Sequence, residues 1–395
     1  MKPFFFFGGL FGIVLSSHAV FADADDSLTV SAGLNWTQDD NLFRVEEGRA
    51  PFGQAFADSW LTSLVSLNFD RYYGQQRVQA DVRLSNVSFD KYRELSYNGK
   101  DIRLAWSWKA GPHWEGLLDT SYLYILAPYT DFESSERNIQ TLRRHSFKLN
   151  HKLHPSWFVG AALIKDVQKY EALSRRLNDR TDERVEVSGN FIPRSGNEIG
   201  IVAHTVDGHY PLTGSVLIPN ASGFREKGLK LRLNWTITAH TKVDAIVGWA
   251  RRSQTSDTSR TASGSNGKIN VQYERNKIKF DTSLWRSFVP FDGAINDFTT
   301  NTGASVSAQW SPTSKFQSVL STSYEKRDFD PRAFLSQFSR PSDSLRQIAL
   351  SASYKYSRNV TLSAGFIQNR SSGPNTSIDR RSRSNSFQIS GLVAF

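Results

Sequence analysis

SFQISGLVAF, Ser386 to Phe395, is a strand written in alternation. Phe387, Ile389, Gly391, Val393 and Phe395 share one face, and Ser386, Gln388, Ser390, Leu392 and Ala394 share the other, because side chains alternate across a strand with a period of two. An apolar face backed by a small, polar one suits a strand lying between hydrocarbon and a wet interior. In lipid a strand must leave no unpaired edge, and a sheet without an edge is a closed barrel. Phe387, Ile389, Val393 and Phe395 are therefore expected to act as an assembly signal on a closing strand that meets the first strand of the chain.

Composition permits this and excludes the helical alternative. Hydrophobic residues make up 39% and mean hydropathy is -0.44, too polar for a bundle of membrane helices. A barrel needs apolar residues only at alternate positions, so it stays polar on average. Aromatics at 13%, with ten Trp, fit the two aromatic girdles of such a barrel. Composition alone fits a large secreted propeller or solenoid equally well. The start, MKPFFFFGGLFGIVLSSHAVFA, reads as a secretory signal peptide over residues 1–22, with Lys2 as its charged region, Phe4 to Leu15 as its apolar core and Ala22 or Ala24 at the cleavage site. Residues 23–395 then form a single barrel domain. The chain has no Cys, which excludes disulfides, a lipid-anchored Cys and thiolate metal sites. The net charge of +10 on an exported chain points away from nucleic acid and toward lipopolysaccharide, anionic lipid or an acidic polysaccharide.

Period-2 segments recur from Leu28 onward. Leu28, Val30, Ala32, Leu34 and Trp36 open the series. Val78, Ala80, Val82 and Leu84 alternate with Arg77, Gln79, Asp81 and Arg83; Leu229, Leu231, Leu233 and Trp235 alternate with Lys230, Arg232 and Asn234. Short turns such as Tyr73-Gly74 and His154-Pro155-Ser156 alternate with long polar connections such as PYTDFESSERN and KYEALSRRLNDRTDE. The count is about 18 strands, with 16 as the alternative because the segments near Val185 and Ile269 are weakly patterned; an even number with long loops on one side and short turns on the other is what outer-membrane barrels show. The fold expected is an all-β, antiparallel, up-and-down transmembrane barrel in the outer membrane, inserted by the barrel-assembly machinery. Trp60, Tyr72, Tyr73, Trp114, Trp157, Tyr354 and Tyr356 fall near strand ends, where aromatic rings meet both acyl chain and water.

The polar face carries the candidate lining of the lumen: Arg77, Arg83, Arg103, Arg144, Lys148, Lys152, Lys230 and Arg232. Asp81, Asp101, Glu186, Asp244, Glu274 and Asp281 share it. Two readings stand side by side. The basic excess favours anions, or the charges pair across strands and only line the wall. No nucleophile elbow, zinc-protease helix or phosphate loop is present, so no catalysis and no cofactor or metal is expected. Asp39 and Asp40, followed by Glu46 and Glu47, could take a divalent cation, although a solvated loop explains them more simply. Arg380, Arg381 and Arg383 sit in the last long loop, where they would suit a surface glycan.

The runs SLTVSAGLNWTQDDNLFR and NFDRYYGQQRVQADVRLS resemble the outer-membrane barrel family of exopolysaccharide-biosynthesis operons, the EpsL-like group of β-barrel porins. Asp39, Asp40, Asn41, Phe43 and Arg44, with Asp70, Arg71, Tyr72, Tyr73 and Gly74, carry the match. The closing strand is likewise similar to the last strand of bacterial outer-membrane barrels. The resemblance implies a non-enzymatic component of exopolysaccharide synthesis or export in a Gram-negative bacterium, with the polymer and periplasmic export components as partners. A general porin, or a barrel that anchors glycan- or protein-binding loops, is the alternative.

Overall fold

The computed structural model describes residues 27–46, 56–130, 135–211, 223–255, 261–290, 296–331, 342–373 and 381–395; the signal peptide expected at residues 1–22 lies outside them. Eighteen strands follow one another: β1 (Leu28–Asp39), β2 (Asp58–Tyr73), β3 (Gln76–Phe89), β4 (Tyr97–Ala110), β5 (Trp114–Leu126), β6 (Ile139–His154), β7 (Trp157–Tyr170), β8 (Arg180–Phe191) and β9 (Glu198–His209) make the first half. The second half is β10 (Gly223–Thr238), β11 (Thr241–Gln254), β12 (Thr261–Arg275), β13 (Ile278–Pro290), β14 (Asn296–Trp310), β15 (Phe316–Pro331), β16 (Ser342–Lys355), β17 (Val360–Ser372) and β18 (Ser382–Ala394). Each pairs antiparallel with its chain neighbours, and β1 also pairs with β18, so the sheet closes. The alternative of 16 strands falls away, since both weakly patterned segments are full strands, β8 and β12.

Alternation sorts the residues as a bilayer requires. Leu34, Val65, Leu118, Leu163, Ile201, Leu229, Leu284 and Ile389 stand exposed on the outer face. Ser31, Thr37, Asp119, Asn190, Asn266, Ser386 and Gln388 are buried on the inner one. Near the short turns the outer face carries Tyr73, Trp114, Trp157, Trp310 and Tyr354, all exposed, as the periplasmic girdle. An apolar belt, an aromatic girdle, long connections at one end and short turns at the other make this a β-barrel of the outer-membrane type.

The strands run 12 to 16 residues, whereas about 9–11 suffice to span a bilayer. The surplus stands above the membrane on the long-loop side. Its outer face is charged, as in the ion pairs Lys165–Glu183 (2.7 Å) and Arg225–Asp207 (2.5 Å). This overhang explains where the sequence reading fell short. Hydrophobic alternation stops at the headgroups, but the backbone ladder continues, so β1 runs on to Asp39 and β8 already begins at Arg180. Arg383 likewise belongs to β18 and not to a loop.

Two aromatics expected in the girdles lie on the inner face. Trp60 pairs with Thr37 and Phe89 and stacks on the Phe89 ring at 5.2 Å. Tyr72 pairs with Arg77, whose guanidinium lies 5.1 Å from its ring. Strand parity decides both: each is one residue out of step with the apolar set Leu61, Val65, Leu67 and Phe69.

Candidate functional site: the lumen and its mouth

The inner wall has two chemistries. On β6–β11 charges pair with one another: Arg144–Asp166 (3.6 Å), Arg180–Asp182 (2.9 Å), Arg184–Glu186 (3.7 Å), Arg232–Glu198 (3.9 Å) and Lys242–Asp244 (3.7 Å). On β14–β18 and β1–β3 the wall is hydroxyl and amide. Thr62, Ser66, Ser85, Ser307, Gln309, Ser321, Gln347, Ser351, Ser353, Ser363, Gln388 and Ser390 face a cavity of 1190 Å³. This cavity runs from Leu42, Val87 and Tyr129 at the extracellular end to Ser314 and Lys315 at the periplasmic turns.

An aromatic cluster shapes the extracellular end. Leu42, Phe43, Val87, Phe89, Leu95 and Tyr129 are buried together, with Trp60, Tyr92 and Tyr97 packed against them. Phe43 sits at the centre, edge-on to Tyr92 (4.7 Å) and Tyr129 (4.9 Å), and only 1% exposed. Burial, with Glu94 and Glu136 nearby, holds the Tyr129 phenol above its ordinary pKa. It stays a neutral donor, and its hydroxyl reaches the Glu136 carbonyl at 3.3 Å.

The segment that delivers Phe43 is Asp39–Arg44, the first of the two stretches on which the resemblance noted in the sequence rests. Asp39 is 1% exposed and accepts both terminal nitrogens of Arg44, each at 2.8 Å, the Asn41 amide at 2.8 Å and the Ser386 hydroxyl. Asp40 accepts the backbone and side-chain nitrogens of Asn385, each at 2.6 Å. Asn41 donates to the carbonyls of Val45 (2.7 Å) and Arg383 (2.9 Å). Asp39 is buried rather than solvated, while Asp40 stays exposed just past the end of β1. Both carboxylates are consumed by hydrogen bonds that tie the segment to β18, and Glu47 lies outside the described residues. Among the described residues no group of three or more His, Asp or Glu could hold a metal.

The second stretch secures the other end of the hairpin. Asp70 accepts from Arg77 Nε at 2.8 Å, with a second bond to Nη2, and from Gln79 at 3.2 Å. Arg71 and Tyr73 lie on the outer face, the guanidinium 5.3 Å from the ring. Gly74, at φ 63°, allows the two-residue reversal.

All eight basic residues expected on the inner face are there. Arg77, Arg103, Arg144 and Arg232 are each paired with a carboxylate. Lys152 lies 5.9 Å from the Phe158 ring. Lys148 and Lys230 face inward from β6 and β10, opposite Ala162 and Val202. Only Arg83 of the eight borders the cavity. Of the expected loop arginines, Arg381 is exposed and Arg380 lies outside the described residues. His113 and His151 stack near Trp114 on the outer side.

Sequence reasoning missed several deeply buried charges. Arg252 donates twice to Glu226 Oε2 (3.1 and 2.8 Å), and its guanidinium lies 4.0 Å from the Phe224 ring centroid. His204 reaches Glu226 Oε1 at 3.3 Å. Arg327 grips Asp343 with two bonds of 2.7 Å. Glu325 accepts from Trp285 (2.8 Å) and Asn301 (3.0 Å). All these residues alternate inward on their strands, which was the available signal. Their burial was not readable, because it comes from packing inside the barrel.

Comparison with protein-family models and with curated proteins returns no match. Among solved structures the chain is similar to Acinetobacter baumannii OccAB3, at 10% identity over 94% of this chain and 100% of that one, TM-score 0.49. Pseudomonas aeruginosa OccK2 (OpdF) aligns at 9% identity over 94% and 98%, TM-score 0.49, and P. aeruginosa OpdQ at 11% over 93% and 97%, TM-score 0.47. At identities this low the chemistry of the lumen is read from this chain's own residues.

Proposed function

We propose that this protein is a porin-like outer-membrane channel for small polar solutes. The observation that carries the reading is the 1190 Å³ cavity lined by hydroxyl and amide groups along β14–β18 and β1–β3. Such groups replace water around a passing solute without holding it by charge. Arg44, Arg83, Lys279, Lys315 and Lys355 border the cavity against one carboxylate, Asp281, as do Arg346 and Arg370, whose strand positions turn their side chains to the outer face, so the path favours anions modestly. The Phe43 cluster narrows it at the extracellular end.

A second reading, a saccharide path in exopolysaccharide export, is supported by the resemblance of Asp39–Arg44 and Asp70–Gly74 to that family. The wall chemistry supports it too. Hydroxyl and amide donors run beside the rings of Trp60, Tyr97 and Tyr129, the combination that suits the polar rim and apolar face of a sugar ring.

Planar-bilayer conductance tests the channel. Wild-type barrels should show small, discrete conductance steps, and barrels lacking residues 40–56 larger ones. Silence from both, with heat-modifiable barrels on a gel, would sink the channel reading. Weighing polysaccharide secreted by a deletion strain separates the two solutes, because an unchanged yield argues for the general porin.

A further inference from the structure

We propose that Arg346, Arg370 and Arg383 hold the phosphates of a lipopolysaccharide molecule packed against the outer wall of β16–β18. The proposal rests on the barrel lying in the outer membrane.

Three observations meet there. First, the arginines form one row. Arg346 is directly opposite Arg370, and Arg370 is directly opposite Arg383. Alternation places all three on the outer face with Ile348, Phe366 and Phe387, and all three are exposed. Directly opposed side chains start about 5 Å apart, and like charges so placed are destabilising.

Second, no described carboxylate neutralises them. Among the described residues none of the three has a carboxylate within ion-pair reach. The acid just past the end of β1, Asp40, is engaged by both nitrogens of Asn385. Several other exterior charges at this height are paired, as in Lys165–Glu183, Arg225–Asp207 and Lys326–Asp328. Lys227 opposite Arg251 is a second like-charged row, but only two strands wide. Three guanidiniums in a row are a fork geometry for phosphate oxygens.

Third, the surface beneath the row is that of an amphiphile's partner. Arg346 lies 5.4 Å from the Tyr324 ring, at the upper edge of the apolar belt. One step toward the membrane Gln368 donates to Asn385 at 2.9 Å, an amide pair at the depth of a headgroup sugar. Below it Ile348, Leu350, Phe366, Phe387 and Ile389 are exposed and would lie along acyl chains. Free phosphate would use the row and ignore the belt; a phosphorylated glycolipid uses both.

The test is native mass spectrometry of the intact barrel in neutral detergent, titrated with lipopolysaccharide, with the same lipid dephosphorylated, and with inorganic phosphate. The wild type should retain the phosphorylated lipid, bind the dephosphorylated form at least about tenfold more weakly, and show no retention of phosphate. The triple variant R346Q/R370Q/R383Q should lose that preference, while K227Q/R251Q keeps it. Equal binding by the triple variant overturns the proposal, as do equal losses in both variants, which would mean general charge attraction. Retention of inorganic phosphate alone overturns the lipid assignment. The single change Arg370→Gln serves if the triple variant assembles poorly. It should raise the melting temperature in neutral detergent by removing like-charge repulsion, and lower the further rise that added lipid produces. A lower melting temperature without lipid counts against the row being strained. Conductance is measured alongside, and lipid binding in a silent barrel separates this site from the channel reading.

Discussion

Arg44 reaches Asp39 from a left-handed backbone, at φ 57°. That conformation costs a non-glycine residue about 1–2 kcal/mol. The two-bond grip on a carboxylate that is 1% exposed more than offsets it, because an uncompensated buried charge costs about 3–5 kcal/mol. Arg44→Ala should therefore destabilise the refolded barrel by about 3 kcal/mol in a denaturant titration on lipid vesicles, and Arg44→Lys should not restore it, since an ammonium lacks the planar fork. An unchanged midpoint would mean the Asn41 amide and Ser386 satisfy Asp39 by themselves. Arg252 offers the complementary case. Arg252→Ala leaves Glu226 buried with His204 alone and should cost about 3–5 kcal/mol, whereas the Arg252→Met, Glu226→Met pair should cost far less, because matched apolar groups remove both charges at once. Phe43 makes the functional prediction at this scale. Phe43→Ala empties the centre of the aromatic cluster, costs about 3–5 kcal/mol, and should enlarge the single-channel conductance.

The first hairpin and the closing strand form one element in practice. β1 pairs with β18 along nine residues, Ser31 opposite Ala394 through Asp39 opposite Ser386. At the periplasmic end Phe395 donates to Val30 at 2.8 Å and Val30 donates back at 3.2 Å. At the extracellular end Asp39, Asp40 and Asn41 bind Ser386, Asn385 and Arg383. The segment Asp39–Asn41 is thus a latch on the seam, while Asp70 with Arg77 clamps the neighbouring turn. Removing Phe395 takes away both hydrogen bonds of the periplasmic end and exposes backbone to lipid, where each unsatisfied group costs several kcal/mol. The expected outcome is a several-fold drop in heat-modifiable barrels with secretion across the inner membrane intact. Normal assembly of that variant would show that the extracellular latch closes the seam unaided.

The whole molecule divides its lumen between a wall of ion pairs and a wall of hydroxyls and amides. The ion pairs of the first wall contribute little net field, since the two charges of each pair lie within about 4 Å. Under the channel proposed above, the basic residues that border the open wall, Arg83, Lys315 and Lys355, are the ones whose contribution to selectivity is tested. A salt gradient across a planar bilayer should give a chloride-over-potassium permeability ratio above one. The changes R83Q, K315Q and K355Q together should bring it to unity. A ratio unmoved by them would shift selectivity to the paired wall. The self-paired wall is present on β6–β11, and the proposed anion path belongs to the other arc of the same barrel.

Alternation along each segment sufficed to determine the barrel, a strand number of about 18 and the face of most strand residues, because the bilayer imposes a period of two on every strand that crosses it. SFQISGLVAF declared its lipid face, and Arg144, Lys148 and Arg232 declared their lumen face, from parity alone. Parity says which side a residue occupies and nothing about what it meets there. That Asp39 is buried, that Phe43 anchors a cluster, that Arg252 finds Glu226 one strand away, and that Arg346, Arg370 and Arg383 fall in one row depends on the register between strands. Register is set by closure of the ladder and by turn geometry across the barrel. Only the tertiary structure could decide them.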